Sequence, residues 1–402
     1  MRRVVKVSRI RIIITIIVVV LTTLLTGCTG KEPNEIAYVV ALGIDSTDDD
    51  NYKITIQYAN TTQISGGASE SGGKAGSEIV DNVTIEAPNI YAGVGLANNI
   101  VSKSFSMSHA KLIVFSKEVA EKGVKDMIET LVRSEEIRPD VFIAVANTTA
   151  NDYLTSVNPE MEVNPAQYYQ LIYQKNQLVG IPDGQLREFF TGLYTDNYDS
   201  ILPVAGVIEG SGGNSQNDDK GQSKDSQNEG SEGSSESLDS FESKNSDENE
   251  KEKDAEKNTS KYEYDIKNYV GGETAIEKKN KAEAIGAALF EKDKMVGELG
   301  EVETEICKML KGDYTYSYLT YYNNDTPDIP ITVKTTQQKK PKYKIDTDKK
   351  TVDIELYIES DLYSLPADYN VENKIEDFER DVANYTSSTC TEFINNFTKK
   401  YN

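Results

Sequence analysis

The 402-residue sequence has no tryptophan, one histidine and three cysteines, and each shortage removes a class of chemistry. An imidazole base acting on a serine or cysteine needs histidine beside an orienting acid, and His109 is the one candidate. It closes Ser104-Phe105-Ser106-Met107-Ser108-His109 just before an apolar run, which favours a structural or contact residue over a base or a ligand. Zinc sites draw on His and Cys, so a metal is disfavoured as well, and no run spaces Asp and Glu as a calcium loop does. Three cysteines with no CxxC pair build neither a disulfide framework nor a redox motif. Gly72-Gly73-Lys74 echoes a phosphate loop, but Ala68 replaces its first glycine and Ala75 its magnesium-binding hydroxyl. No catalytic residue, metal or cofactor is therefore expected.

Positive charge is also scarce. Against 66 Asp and Glu stand 43 Lys and Arg, a net charge of −23, which argues against nucleic acid and against direct adsorption to anionic lipid. The basic residues cluster at the start: Arg2, Arg3, Lys6, Arg9 and Arg11 precede a stretch with no charge until Lys31. The apolar run from Ile12 to Leu25 is shorter than the roughly 20 residues of a spanning helix, and Leu24-Leu25-Thr26-Gly27-Cys28 reads as a bacterial lipobox. A signal peptide over 1–27 is expected to be cut after Gly27, leaving a diacylglyceryl Cys28 as the first mature residue. Two acyl chains bury many methylenes at about 0.8 kcal/mol each, which tethers the protein outside the cytoplasmic membrane. Without residues 1–27 the net charge falls from −23 to −28, so lipid and not charge supplies membrane affinity. Cys307 and Cys390 remain; a disulfide between them is open, and two free packed thiols are favoured.

Between Glu209 and Ser260 the only large apolar residues are Leu238 and Phe241. Such a stretch cannot offset its ordering entropy, so 209–262 reads as a disordered acidic insertion, a solvated linker in preference to an interaction tail. It separates an N-terminal α+β domain, 28–208, from a C-terminal α+β domain, 263–402. In the first, Ile36–Ile44, Tyr52–Tyr58 and Ile79–Ile85 read as strands, the first two joined by a turn at Asp48–Asn51 and the third preceded by a flexible stretch at Ser65–Ser77. Pro88 opens a helix through Val101, and the strands Ala110–Phe115 and Val141–Ala146 bracket a helix over Lys117–Arg133. Helical spacing follows at Tyr168, Leu171, Ile172 and Lys175, and again at Leu186, Phe189 and Phe190. In the second domain, a hairpin of Ala284–Phe290 with Met295–Leu299 precedes a helix over Val302–Leu310. Strands follow at Tyr314–Tyr322, Ile329–Thr335 and Thr351–Ile358. Val371, Ile375, Phe378, Val382, Tyr385, Phe393, Phe397 and Tyr401 make one apolar stripe, the mark of a long amphipathic helix with a core-facing side. The expected class is α+β, multi-domain and mixed-sheet.

Arginine is rarer than lysine: four remain after residue 27. Two of them, Arg133 and Arg138, flank one turn. The guanidinium fork grips carboxylates or carbonyls bidentately where lysine cannot, so the pair is read as an internal clamp before Val141–Ala146 or as a partner contact.

In order along the chain, the lipobox at Cys28, Ala41-Leu42-Gly43-Ile44-Asp45, Lys103-Ser104-Phe105 leading to His109-Ala110-Lys111-Leu112-Ile113-Val114-Phe115, Arg133-Ser134-Glu135-Glu136-Ile137-Arg138-Pro139-Asp140, and Gly286-Ala287-Ala288-Leu289-Phe290 with Asp293-Lys294-Met295-Val296-Gly297 resemble the spore germination lipoproteins of the Ger(x)C type. These are the C subunits of nutrient germinant receptors. The resemblance implies a non-enzymatic, lipid-anchored subunit required for germination in response to nutrients, on the extracytoplasmic face of the spore inner membrane. It implies integral-membrane A and B receptor subunits as partners and α+β domains in series. The acidic insertion is longer than in such proteins, and relatives usually carry further strands where this chain reaches Asn402. The alternative is a solute-binding lipoprotein of a membrane transporter, which calls for βαβ units on both sides of a hinge. A lipid-anchored wall hydrolase lacks its nucleophile and metal ligands here.

Overall fold

The computed structural model describes residues 11–19, 35–49, 51–59, 80–159, 162, 164–174, 180–208, 268–274, 280–322, 330–365 and 375–401. The cleavage site at Gly27, Cys28, the Ser65–Ser77 stretch, Val371 and the insertion at 209–262 lie outside the described residues.

The apolar run at Ile36 becomes β1 (Ile36–Ser46), centre of a nine-stranded sheet. Its order is β3-β2-β1-β5-β6-β7-β8-β9, with β4 (Ser104–Ser106) paired to the start of β1. β1, β5 (Leu112–Ser116), β6 (Phe142–Ala146) and β7 (Ile201–Val207) run parallel. The hairpin of β2 (Tyr52–Ala59) and β3 (Val80–Ala87) adds antiparallel strands on one side. The hairpin of β8 (Ala282–Glu291) and β9 (Lys294–Leu299) does so on the other. Parallel strands are covered on both faces and therefore read as unbroken apolar runs. In β5, Ile113 and Phe115 enter one core while Leu112 and Val114 enter the other. The hairpin beyond the insertion thus completes the sheet that begins before it.

One face carries α1 (Ile90–Ala97), α2 (Lys117–Lys122), α3 (Lys125–Val132) and α6 (Leu186–Tyr194); the other carries α4 (Ala150–Ser156) and α5 (Pro165–Gln174). The helix expected from Pro88 starts two residues later because Asn89 takes the cap, its Oδ1 accepting Ala92 N at 2.9 Å. The helix expected over Lys117–Arg133 is two. Gly123, at φ +119°, breaks it, and Val124 N donates to Asp293 O at 3.0 Å, so the β8–β9 turn docks in the gap. A Cβ at Gly123 would stand 2.7 Å from Asp293 Oδ2.

A separate antiparallel sheet, β10 (Tyr316–Tyr321), β11 (Ile331–Asp346) and β12 (Thr351–Ser364), follows α7 (Glu301–Lys311). α8 (Ile375–Tyr401) bears the expected stripe. Phe378, Val382 and Tyr385 pack on Tyr321, Ile331 and Val333 of that sheet. Cys390 and Phe393 pack against Ile306 and Met309 of α7. Phe397 and Tyr401 reach Leu289 and Leu299 of the first sheet. One stripe thereby ties three layers together, and each fully buried large side chain contributes about 1.5–3 kcal/mol. Ile375, at the start of the stripe, is 51% exposed. Cys307 and Cys390 are both free thiols.

Candidate docking surface

Two of the motifs noted in the sequence meet in space. The turn between α3 and β6 is organised by Ser134, whose Oγ accepts Glu136 N at 3.2 Å and Ile137 N at 3.3 Å. This buries Ile137 and aims Glu136 at β4, where its Oε2 accepts Met107 N at 2.6 Å. Asn98, at the end of α1, accepts Phe105 N at 2.8 Å through Oδ1. Two side-chain acceptors thus fasten the short β4 strand and its exit from either side. Between α1 and the turn runs a groove of about 480 Å³, lined by Tyr91, Val94, Phe105, Met107, Arg133 and Glu136 among others. Tyr91, in the groove lining on α1, is 38% exposed, while Leu96 of α1 and Ile100 beyond its end are 47% and 65% exposed.

Arg133 pairs with Glu129 Oε2 at 2.6 Å, one helical turn back, and Glu129 also accepts the Tyr194 hydroxyl from α6. These bonds hold the Glu129 carboxyl below the usual range, the tyrosine foremost. Arg138 forks onto Asp140, Nε to Oδ1 at 3.0 Å and an Nη to Oδ2 at 3.3 Å, with both side chains exposed. His109 is exposed, its ring edge-on to Tyr38 with centroids 4.9 Å apart. The structure therefore brings Arg133 to the groove wall and leaves Arg138 and His109 exposed outside its lining. The acceptor role of Glu136 and the exposed apolar face of α1 were not anticipated. The Ser-x-Glu spacing at 134–136, in a run that turns before a strand, was the available signal.

The other motif at Ala41–Asp45 is internal. Asp45 Oδ1 accepts Ala150 N at 2.6 Å and Oδ2 accepts Asn151 N at 3.1 Å, so β1 caps α4. Burial lifts the Asp45 pKa, and these backbone bonds oppose the rise. Among the described residues no group of three or more His, Cys, Asp or Glu could hold a metal, and no helix is long and apolar enough to cross a membrane.

A large mixed sheet layered by helices, a second antiparallel sheet and a long closing helix place the chain in the α+β class of multi-part proteins. Residues 30–207 match the spore germination protein N-terminal domain and residues 285–402 the spore germination B3/GerAC-like C-terminal domain. The chain belongs to the Ger(x)C family of spore germination proteins. It is similar to spore germination protein KC of Bacillus subtilis (strain 168), 26% identical over 174 residues, 40% of this chain and 42% of that protein. It is also similar to spore germination protein B3 of the same organism, 26% identical over 148 residues, 34% of this chain and 36% of that one. The alignments thus span well under half of these relatives' lengths. A solved structure titled as that of the GerBC protein aligns with 87% of this chain and 80% of its own, at 14% identity and a TM-score of 0.40.

Proposed function

We propose that this chain is the lipid-anchored, non-enzymatic C subunit of a nutrient germinant receptor, required for germination in response to nutrients. Diacylglyceryl Cys28, exposed after cleavage at Gly27, holds it on the extracytoplasmic face of the spore inner membrane. Integral-membrane A and B subunits are its partners. The domain over 28–208 takes the β8–β9 hairpin as part of its sheet, so that 209–262 falls in sequence between the neighbouring strands β7 and β8.

The observation that carries this reading is the groove at α1. Family-type motifs 30 residues apart converge on it, Arg133 stands in its wall, and Tyr91 lies exposed in it. An exposed aromatic side chain set beside arginine and apolar neighbours is a feature of protein interfaces. A transporter's solute-binding lipoprotein is less well supported, since the second sheet is three antiparallel strands with no βαβ unit among the described residues.

Replacing Tyr91 with serine tests the surface. It is exposed, so the melting temperature should stay within the range of ordinary surface substitutions, while co-purification with the membrane subunits and nutrient germination fall. Cys28→Ala should instead leave the precursor uncut or release it from membranes. Normal co-purification of Tyr91→Ser sinks the docking assignment, and normal membrane fractionation and cleavage of Cys28→Ala sinks the anchor.

A further inference from the structure

Between α7, β10 and α8 lies a cavity of about 430 Å³. Ile306, Met309, Tyr314 and Tyr385 give it an apolar and aromatic wall. The carboxyls of Glu301 and Glu305 belong to the same wall, and no lysine or arginine lines it among the described residues. Glu305 accepts Ser317 Oγ at 2.9 Å on both oxygens, a neutral partner for a carboxylate standing among hydrocarbon. Lys308, one turn further along α7, is buried and donates to Ile181 O at 3.0 Å, outside the cavity wall. A desolvated carboxylate without a counter-charge in its own cavity is costly, and a cation of matching size recovers that cost.

We propose that this cavity binds a small organic ammonium ion with an apolar body. The ammonium would lie between Glu301 and Glu305, and the apolar part against Ile306, Met309, Tyr314 and Tyr385. A neutral solute would leave the carboxylates uncompensated, and an anion would meet two like charges. A bare metal ion would find hydrocarbon where its remaining ligands should be.

Proton linkage supports the assignment. Burial raises the Glu305 pKa to about 7, with Glu301 adding to the rise and Ser317 and Lys308 opposing it. Burial, then Glu283, raises Glu301 as well. Of the other titratable groups facing the cavity, burial pushes Tyr314 up to about 12 and Cys390 up to about 11, while Lys334, outside the lining on the central strand β11, lies over the Tyr316 ring, 4.5 Å from its centroid. Since the folded-state pKa of Glu305 lies above its unfolded value of 4.5, ionising it costs the fold stability as pH rises from about 4.5 towards 7. An ammonium ligand needs the ionised form, so its binding strengthens over the upper part of that window.

Titration calorimetry of the full-length protein with benzylammonium chloride, and with benzyl alcohol as its neutral counterpart, tests this. The amine should bind at least about tenfold more tightly than the alcohol, a gap of about 1.4 kcal/mol. Its affinity should fall below about pH 7, approaching tenfold per pH unit. Glu305→Gln keeps the shape and the hydrogen bond while removing the charge. It should melt no lower than the parent near pH 8, lose at least about tenfold in amine affinity and show no pH slope. No binding of the amine, equal binding of the alcohol, or unchanged amine binding by Glu305→Gln would overturn the proposal.

Discussion

Asp45→Ala should be among the most damaging single-carboxylate changes in the first sheet. The carboxyl is 5% exposed, and its two oxygens take the N–H groups of Ala150 and Asn151 at the start of α4. Thr149 Oγ1 takes the N–H of Asp152 at 2.9 Å, so two side chains satisfy three donors that the helix itself cannot. α4 in turn packs hard on β1: a Cβ at Gly43 would stand 3.0 Å from Leu154 Cδ1. Hydrogen bonds to a charged group contribute about 1.5–3 kcal/mol each, and the burial that raises the Asp45 pKa subtracts from their sum. The net loss should be about 2–4 kcal/mol, or roughly 5–12 °C for a body of this size. Asp45→Asn keeps one acceptor and points an amide donor at the second N–H, so it should lose about as much as the single bond it gives up. Asp48→Ala, in the exposed β1–β2 turn, should stay within about 0.5 kcal/mol of the parent. Differential scanning calorimetry of the three variants decides it. If Asp45→Ala melts within about 1 °C of the parent, the cap is not what fastens α4 to β1.

Phe378→Ala removes a side chain 8% exposed that packs with Tyr321 and lies at the sheet end of the α8 stripe; it should cost about 3–5 kcal/mol, read as lost hydrogen-exchange protection in α8 and β10–β12 while β1 and β5 keep theirs. Deleting Ser211–Ser260 removes a stretch with two large apolar residues and should leave the melting temperature unchanged, whereas a fall of more than about 2 °C would show that it packs on the folded body.

Elements carried by periodicity are legible in the sequence. The continuous runs of β1, β5 and β6 reflect burial on both faces, and the α8 stripe reflects contact along most of its length. Elements held by single hydrogen bonds are not. α4 has seven residues whose apolar positions, Ala150, Tyr153 and Leu154, are too few to set a period, and its start is fixed by Asp45, 105 positions earlier in the chain. β7 contains Pro203, which argues against a central strand. It is tolerated there because two of the β7–β8 partners flank a register shift at Pro203–Ala205. The split between α2 and α3 likewise needs Asp293 from beyond the insertion to explain Gly123.

The same division governs the candidate sites. Arg133 and Arg138 stood out by scarcity, yet both ion pairs are exposed and local, to Glu129 and Asp140. Pairs of that kind contribute about 0–1 kcal/mol, so retaining arginine for stability alone gains little at either position. Glu136 and Glu305 were hidden by abundance, two among 66 acidic residues. Only the fold shows that one reaches across to Met107 N while the other faces an apolar cavity with a serine as its hydrogen-bond partner. Composition can flag a rare residue type, but a carboxylate becomes chemically distinct through what surrounds it. In this chain those surroundings are assembled from segments far apart in sequence, β4 with the α3–β6 turn around Glu136 and α7 with α8 around Glu305.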